Sequence, residues 1–163
     1  MAFLRGINVG GHKLIKMAEL ARLFTSFGLK NVRTYIASGN VLFETAEGAD
    51  TVGGRIEEGL KRALGYGVKV MLRTISEIED IINLDPFCTV EASENVRLYV
   101  TFFAEEPGST LRLPYESPGQ DFQILKRSNR EVFSVLLVSP TARSVDMMAF
   151  IEKEFGKAST TRN

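Results

Sequence analysis

Apolar residues recur at helical spacing in four stretches of the chain and at strand spacing between them. Leu20, Leu23, Phe24 and Phe27 fall three or four residues apart, which predicts an amphipathic helix from about Met17 to Phe27, with Gly28 as its left-handed stop. Before it, Met1 to Leu4 is a short apolar run of strand type. After it, Asn31 to Ala37 alternates through Val32 and Tyr35, and Val41 to Thr45 is another β-type run. Ser38-Gly39-Asn40 lies between the two and supplies turn chemistry, so the pair reads as a hairpin. A second helix carries Ile56, Leu60, Ala63 and Leu64, capped at Asp50 or Thr51 and ended by Gly65. Val68 to Arg73 is a fourth strand. The order is β-α-β-β-α-β, the split arrangement of a ferredoxin-like unit.

The second half repeats this order loosely. A third helix starts at Ser76, where Ser76 and Glu79 have capping-box spacing; it carries Ile78, Ile81 and Ile82 and stops before Asp85-Pro86. Arg97 to Ala104 is a strand. Glu105 to Gln120 holds Pro107, Pro114 and Pro118, so it is a loop where a full repeat would carry a helix. Asp121 to Lys126 and Glu131 to Val138 form a second hairpin around Arg127 to Arg130. A fourth helix carries Val145, Met148, Ile151 and Phe155, stopped by Gly156, and the tail from Lys157 adds an edge strand. The predicted fold is α+β: two ferredoxin-like (split β-α-β) lobes, with mainly antiparallel sheets and helices. The lobes are residues 1–74 and a degenerate 97–163, joined by a connecting helix and linker over 75–96. Leu98, Val100 and Phe102 alternate with Tyr99 and Phe103, so both faces of that strand are apolar and the sheet is expected to be covered on both sides.

Charge narrows the function. Twenty Lys+Arg balance twenty Asp+Glu. Nucleic acid therefore gets no support from a basic field, although it is not excluded as a partner. The single cysteine, Cys88, forms no internal disulfide and reads as a packed small apolar residue suited to a reducing compartment. Neither a signal peptide nor a membrane-spanning run is recognised, so the expectation is a soluble, cytoplasmic protein with no membrane partner.

Chemistry concentrates in Leu4-Arg5-Gly6-Ile7-Asn8-Val9-Gly10-Gly11-His12-Lys13, between the first strand and the first helix. Three glycines, an Asn, an Arg, a Lys and the only His share these ten residues. Glycines let a backbone turn with positive φ and present its N–H groups to a bound group. In a split unit the loop after strand one, the turn between strands two and three and the start of the first helix share one end. Arg5, Gly6, Asn8, Gly10, Gly11, His12 and Lys13 are thus expected beside Ser38, Gly39 and Asn40, with Asn8 near Asn40. Loop N–H groups, a helix N-terminus and cations together favour a phosphate or carboxylate. The candidate ligand-binding residues are Arg5, Gly6, Asn8, Gly10, Gly11, Lys13, Ser38 and Asn40, and the partner is a small anionic molecule. The same residues equally suit a structural turn in which Asn8 and Asn40 cap loop backbone.

Other chemistries fit less well. Gly6 and Gly11 have P-loop separation, but His12 stands where Lys is needed and Lys13 where Ser or Thr is needed, and Leu14 to Met17 delays the helix. The Rossmann glycine pattern is absent. No serine sits in a nucleophile elbow, and His12 with Cys88 has no zinc-site spacing, so no catalytic residue, metal or cofactor is assigned. The alternatives are a nucleic-acid-binding module, for which Asn40 to Thr45 offers only Phe43 as a stacking residue, and a structural or interaction domain.

Several of these residues also carry a resemblance. Leu4 to Gly11, Ile15-Lys16-Met17, Ser38-Gly39-Asn40-Val41 with Phe43, and Thr160-Thr161-Arg162-Asn163 together resemble the DUF1697 family of domains of unknown function. The resemblance implies a two-lobed α+β fold of ferredoxin-like pieces and no established activity. Members of that family often carry a helical stretch where this chain has the proline-rich Glu105 to Gln120.

Overall fold

The computed structural model describes residues 1–9, 14–138 and 144–163, with side chains from 146 onward in the last stretch. It is α+β, with four helices and two antiparallel sheets among the described residues. The chain divides into two compact units, Met1–Glu77 and Ile78–Asn163.

The first unit comprises β1 (Ala2–Leu4), α1 (Met17–Ser26), β2 (Lys30–Tyr35), β3 (Asn40–Glu44), α2 (Ala49–Leu64) and β4 (Val70–Leu72). Its sheet runs β2-β3-β1-β4, every pair antiparallel. The apolar spacing read from the sequence decides which faces are buried. Leu20 and Phe24 on α1 and Ile56 and Leu60 on α2 are fully buried against Leu4 and Val41 of the sheet. Each such side chain contributes about 1.5–3 kcal/mol by leaving water. Phe24 also packs its ring on Phe27 and Phe43, at centroid distances of 6.0 and 5.8 Å. The two helices approach at Gly59, where an added Cβ would lie 2.5 Å from the Phe27 ring. One capping expectation is corrected. The N-cap of α2 is Gly48, with no side-chain cap, whereas Asp50 lies in the first turn and acts there through its charge on the helix dipole.

α3 (Ile75–Asn83) crosses from the first unit into the second. Its capping box lies two residues earlier than the sequence suggested. Thr74 Oγ1 accepts from the Glu77 N–H at 3.1 Å, and the Glu77 carboxylate accepts from the Thr74 N–H at 2.7 Å. Thr74-x-x-Glu77 and Ser76-x-x-Glu79 have the same spacing; the one directly after the strand forms the cap.

The second unit continues with β5 (Val96–Phe103), β6 (Tyr115–Glu116), β7 (Phe122–Ser128), β8 (Glu131–Leu137), α4 (Ser144–Phe155) and β9 (Ser159–Arg162). Its sheet runs β6-β7-β8-β5-β9, again antiparallel. Setting aside the two-residue β6, the order β7-β8-β5-β9 repeats that of the first sheet, and β9 is the edge strand expected of the tail. Residues 104–114 and 117–121 carry neither helix nor strand. Phe103, Ile124, Val132, Met147 and Ile151 form the core beneath α4, where Met147 rather than Met148 is fully buried. On the other face of β8, Phe133 is fully buried and meets Phe87 edge-on at 5.9 Å. Cys88 is exposed, contrary to the packed role expected of it, because it lies in the turn that follows Asp85 (φ 41°).

Candidate functional site

β1 ends between two neighbours that fix where its loop departs. The Leu4 N–H donates to the Gly39 carbonyl and the Arg5 N–H to the Lys69 carbonyl, each at 2.9 Å. Gly6 (φ 68°) and Asn8 (φ 56°) then turn the backbone through the left-handed region. Ile7, only 1% exposed, lies between them and anchors the loop in the core. The facing turn uses the same device, with Ile36 at φ 48° and Gly39 at φ 77°. Gly39 fits closely: an added Cβ would lie 3.0 Å from Leu4 Cβ and 3.3 Å from Ile7 Cβ.

Asn8 ties the loop together. Its Nδ2 donates to the Ala37 carbonyl at 2.8 Å and to the Ile15 carbonyl at 3.1 Å, while its Oδ1 accepts from the Ile15 N–H at 2.8 Å. Through Ala37 it binds the loop to the β2–β3 turn; through Ile15, which is itself buried, it holds the segment that leads into α1. Asn40, 4% exposed, closes the turn from within, donating to the Tyr35 carbonyl at 3.2 Å and to Ser38 Oγ at 3.0 Å. Arg5, Gly6 and Asn8 therefore share one edge of the sheet with Ser38, Gly39 and Asn40. Gly10, Gly11, His12 and Lys13 lie outside the described residues.

The sequence of these two stretches departs from the neutral average of the chain. Residues 1–18 and 27–43, which supply the loop and the turn, contain no Asp or Glu, while Arg5, Lys13, Lys16 and Arg33 are among them. The N-cap of α1, at the exit from the loop, is Lys16, and no side chain caps it. The cavity of about 350 Å³ elsewhere in this unit is lined by Glu44, Glu47 and Glu77, together with Arg73 and Met1, around Phe43, Val52 and Leu72.

Sequence reasoning missed Ile7 and Ile15, whose burial holds the ends of the loop, and the Ala37 carbonyl, which receives the amide of Asn8. A signal was present for Ile7, an apolar residue set between Gly6 and Asn8 in a turn-forming stretch. At the far end of the chain, Arg162 Nη1 donates to Thr160 Oγ1 and to the Thr161 carbonyl, both at 2.8 Å, and burial pushes the Arg162 guanidinium down to about 10. Among the described residues no group of three or more His, Cys, Asp or Glu side chains could hold a metal ion, and no helix is long and apolar enough to cross a membrane.

Comparison with known proteins adds family and fold. A family model described as a protein of unknown function, DUF1697, matches residues 1–133. The structure is similar to that of the conserved bacterial protein SP0830 from Streptococcus pneumoniae, with a TM-score of 0.74 and 20% sequence identity, over 99% of this chain and 89% of that one. No curated protein matches the chain.

Proposed function

The chain belongs to the DUF1697 family, whose function is unknown, and from the site itself we propose that it binds a small anion, a phosphate or a carboxylate. The ligand sits on the edge formed by the Gly6 to Lys13 loop and the Ser38 to Asn40 turn. One observation carries this reading: Asn8 fastens the loop to the turn, and the two stretches that meet there hold cations and no carboxylate. Oriented N–H groups beside positive charge favour an oxyanion. In this reading Arg5 and Lys13 supply charge, and the N–H groups of the Gly6, Gly10 and Gly11 segment supply donors. Asn8, Ser38 and Asn40 shape the walls, because the amides of both asparagines already bond within the protein. We read both sheets as ferredoxin-like, on the strength of their shared strand order, and place the protein in the reducing cytoplasm, which suits its single free thiol.

RNA binding is the weaker reading. A ferredoxin-like RNA platform exposes aromatic residues on its central strands. Here Phe43 packs against Phe24, and Phe3, Phe102 and Phe133 are buried.

A thermal-shift screen over phosphate, sulfate, citrate and nucleotide series tests the proposal, because a ligand that binds only the native state raises its melting temperature. Concentration-dependent stabilisation by one anion series supports it. A flat screen together with salt-sensitive RNA binding favours the alternative.

A further inference from the structure

A second cavity in the other unit has the reverse balance of charge to the glutamate-lined one. It measures about 310 Å³ and lies among the 104–121 segment, β7 and the end of α4. Leu111, Leu113, Leu125 and Phe155 provide apolar wall, and Lys126 and Arg127 line the same space. No carboxylate is among the described residues that line it.

The strand that borders the cavity is irregular. Successive residues of a regular strand face opposite sides. In β7 the register steps from Ile124↔Ser134 to Lys126↔Phe133, so Leu125 is an extra residue and the strand bulges. Bulges are enriched next to binding sites. Leu125, Lys126 and Arg127 all border the cavity. The two cations differ in state. Arg127 Nη1 donates to the Pro107 carbonyl at 2.7 Å, which pins both the guanidinium and the overlying segment. Lys126 makes no ion pair or side-chain hydrogen bond among the described residues.

We propose that this cavity is a binding site, separate from the glycine loop, for a small organic anion with an apolar body. The oxyanion head lies between Lys126 and Arg127, and the body rests on Leu111, Leu113, Leu125 and Phe155. The volume equals about ten water-sized spaces at roughly 30 Å³ each, room for a carboxylate of six to eight carbons or an aryl phosphate.

The test is a two-dimensional amide NMR titration of the full chain with hexanoate, phenyl phosphate, inorganic phosphate and neutral hexanamide. The site predicts saturable shifts at Leu125, Lys126 and Arg127 with hexanoate or phenyl phosphate, whichever head group is preferred. Binding should be at least about tenfold weaker for hexanamide and for Lys126→Gln, and restored in Lys126→Arg, since hydrogen bonds to charged groups are worth more than neutral ones. Arg5→Ala with Lys13→Ala leaves these shifts unchanged, which separates this site from the glycine loop. The proposal is overturned if no probe gives a saturable shift there up to about 10 mM, an affinity too weak for a specific pocket. It is equally overturned if Lys126→Gln binds as the parent does, or if inorganic phosphate alone binds as tightly as the apolar anions.

Discussion

Replacing Asn8 separates its two roles. Its side chain makes three hydrogen bonds, two to the Ile15 backbone and one to the Ala37 carbonyl. The bond to Ala37 is exposed and water can replace it, whereas those to Ile15 are part-buried. At about 1 kcal/mol for each intramolecular hydrogen bond, losing the Ile15 pair costs about 2 kcal/mol. Asn8 also sits at φ 56°, a conformation that costs an ordinary L-residue about 1 kcal/mol more than it costs Asn or Gly. Asn8→Ala should therefore lose about 3 kcal/mol and Asn8→Gly about 2 kcal/mol, with Gly the better tolerated. Equilibrium urea unfolding measures both, provided the m-value is unchanged. If both variants stay within about 0.5 kcal/mol of the parent, the range of ordinary surface changes, Asn8 does not fasten the loop. If Ala is the better tolerated, the left-handed backbone is not what Asn8 is there to supply.

Three further outcomes follow from the packing. Gly39→Ala should cost about 2 kcal/mol or more in urea unfolding, since it combines positive φ with contact on Leu4, while Gly6→Ala, with open space around it, should cost only about 1 kcal/mol. Gly59→Ala should destabilise by about 1–3 kcal/mol despite the better helix propensity of Ala, and Phe27→Leu in the same chain should recover part of the loss; a gain in stability from Gly59→Ala alone would contradict the helix contact. Thr74→Ala should lose about 1 kcal/mol as a helix cap and Ser76→Ala less than about 0.5 kcal/mol; the reverse order in thermal unfolding would return the cap to Ser76.

What the sequence revealed was periodic. Leu20 and Phe24, Ile56 and Leu60, and Ile151 and Phe155 announced their helices because burial repeats with the helical turn. The hairpins were legible from Ser38-Gly39-Asn40 and from the residues around Asn129, where turn chemistry is local. Features that depend on contacts between distant residues were not legible. Nothing local distinguishes Thr74-x-x-Glu77 from Ser76-x-x-Glu79, or marks Gly59 as the point where a helix meets Phe27. The meeting of loop and turn followed from strand order alone, but the use of the Asn8 amide on Ala37 and Ile15 did not, because an Asn in a glycine-rich loop suits a ligand as well as it suits backbone. The bulge at Leu125 was likewise hidden, since Asp121 to Lys126 reads as a plain strand.

The most direct test of the central claim is calorimetric titration of the best-stabilising anion into the parent protein and into Arg5→Ala with Lys13→Ala, at low salt where the electrostatic part of binding is least screened. The account predicts saturable binding to the parent and a loss of about tenfold or more in the double variant, since each hydrogen bond to a charged group is worth about 1.5–3 kcal/mol. Circular dichroism should show the fold retained. Equal affinity in the two proteins would contradict the claim and leave the loop a structural turn.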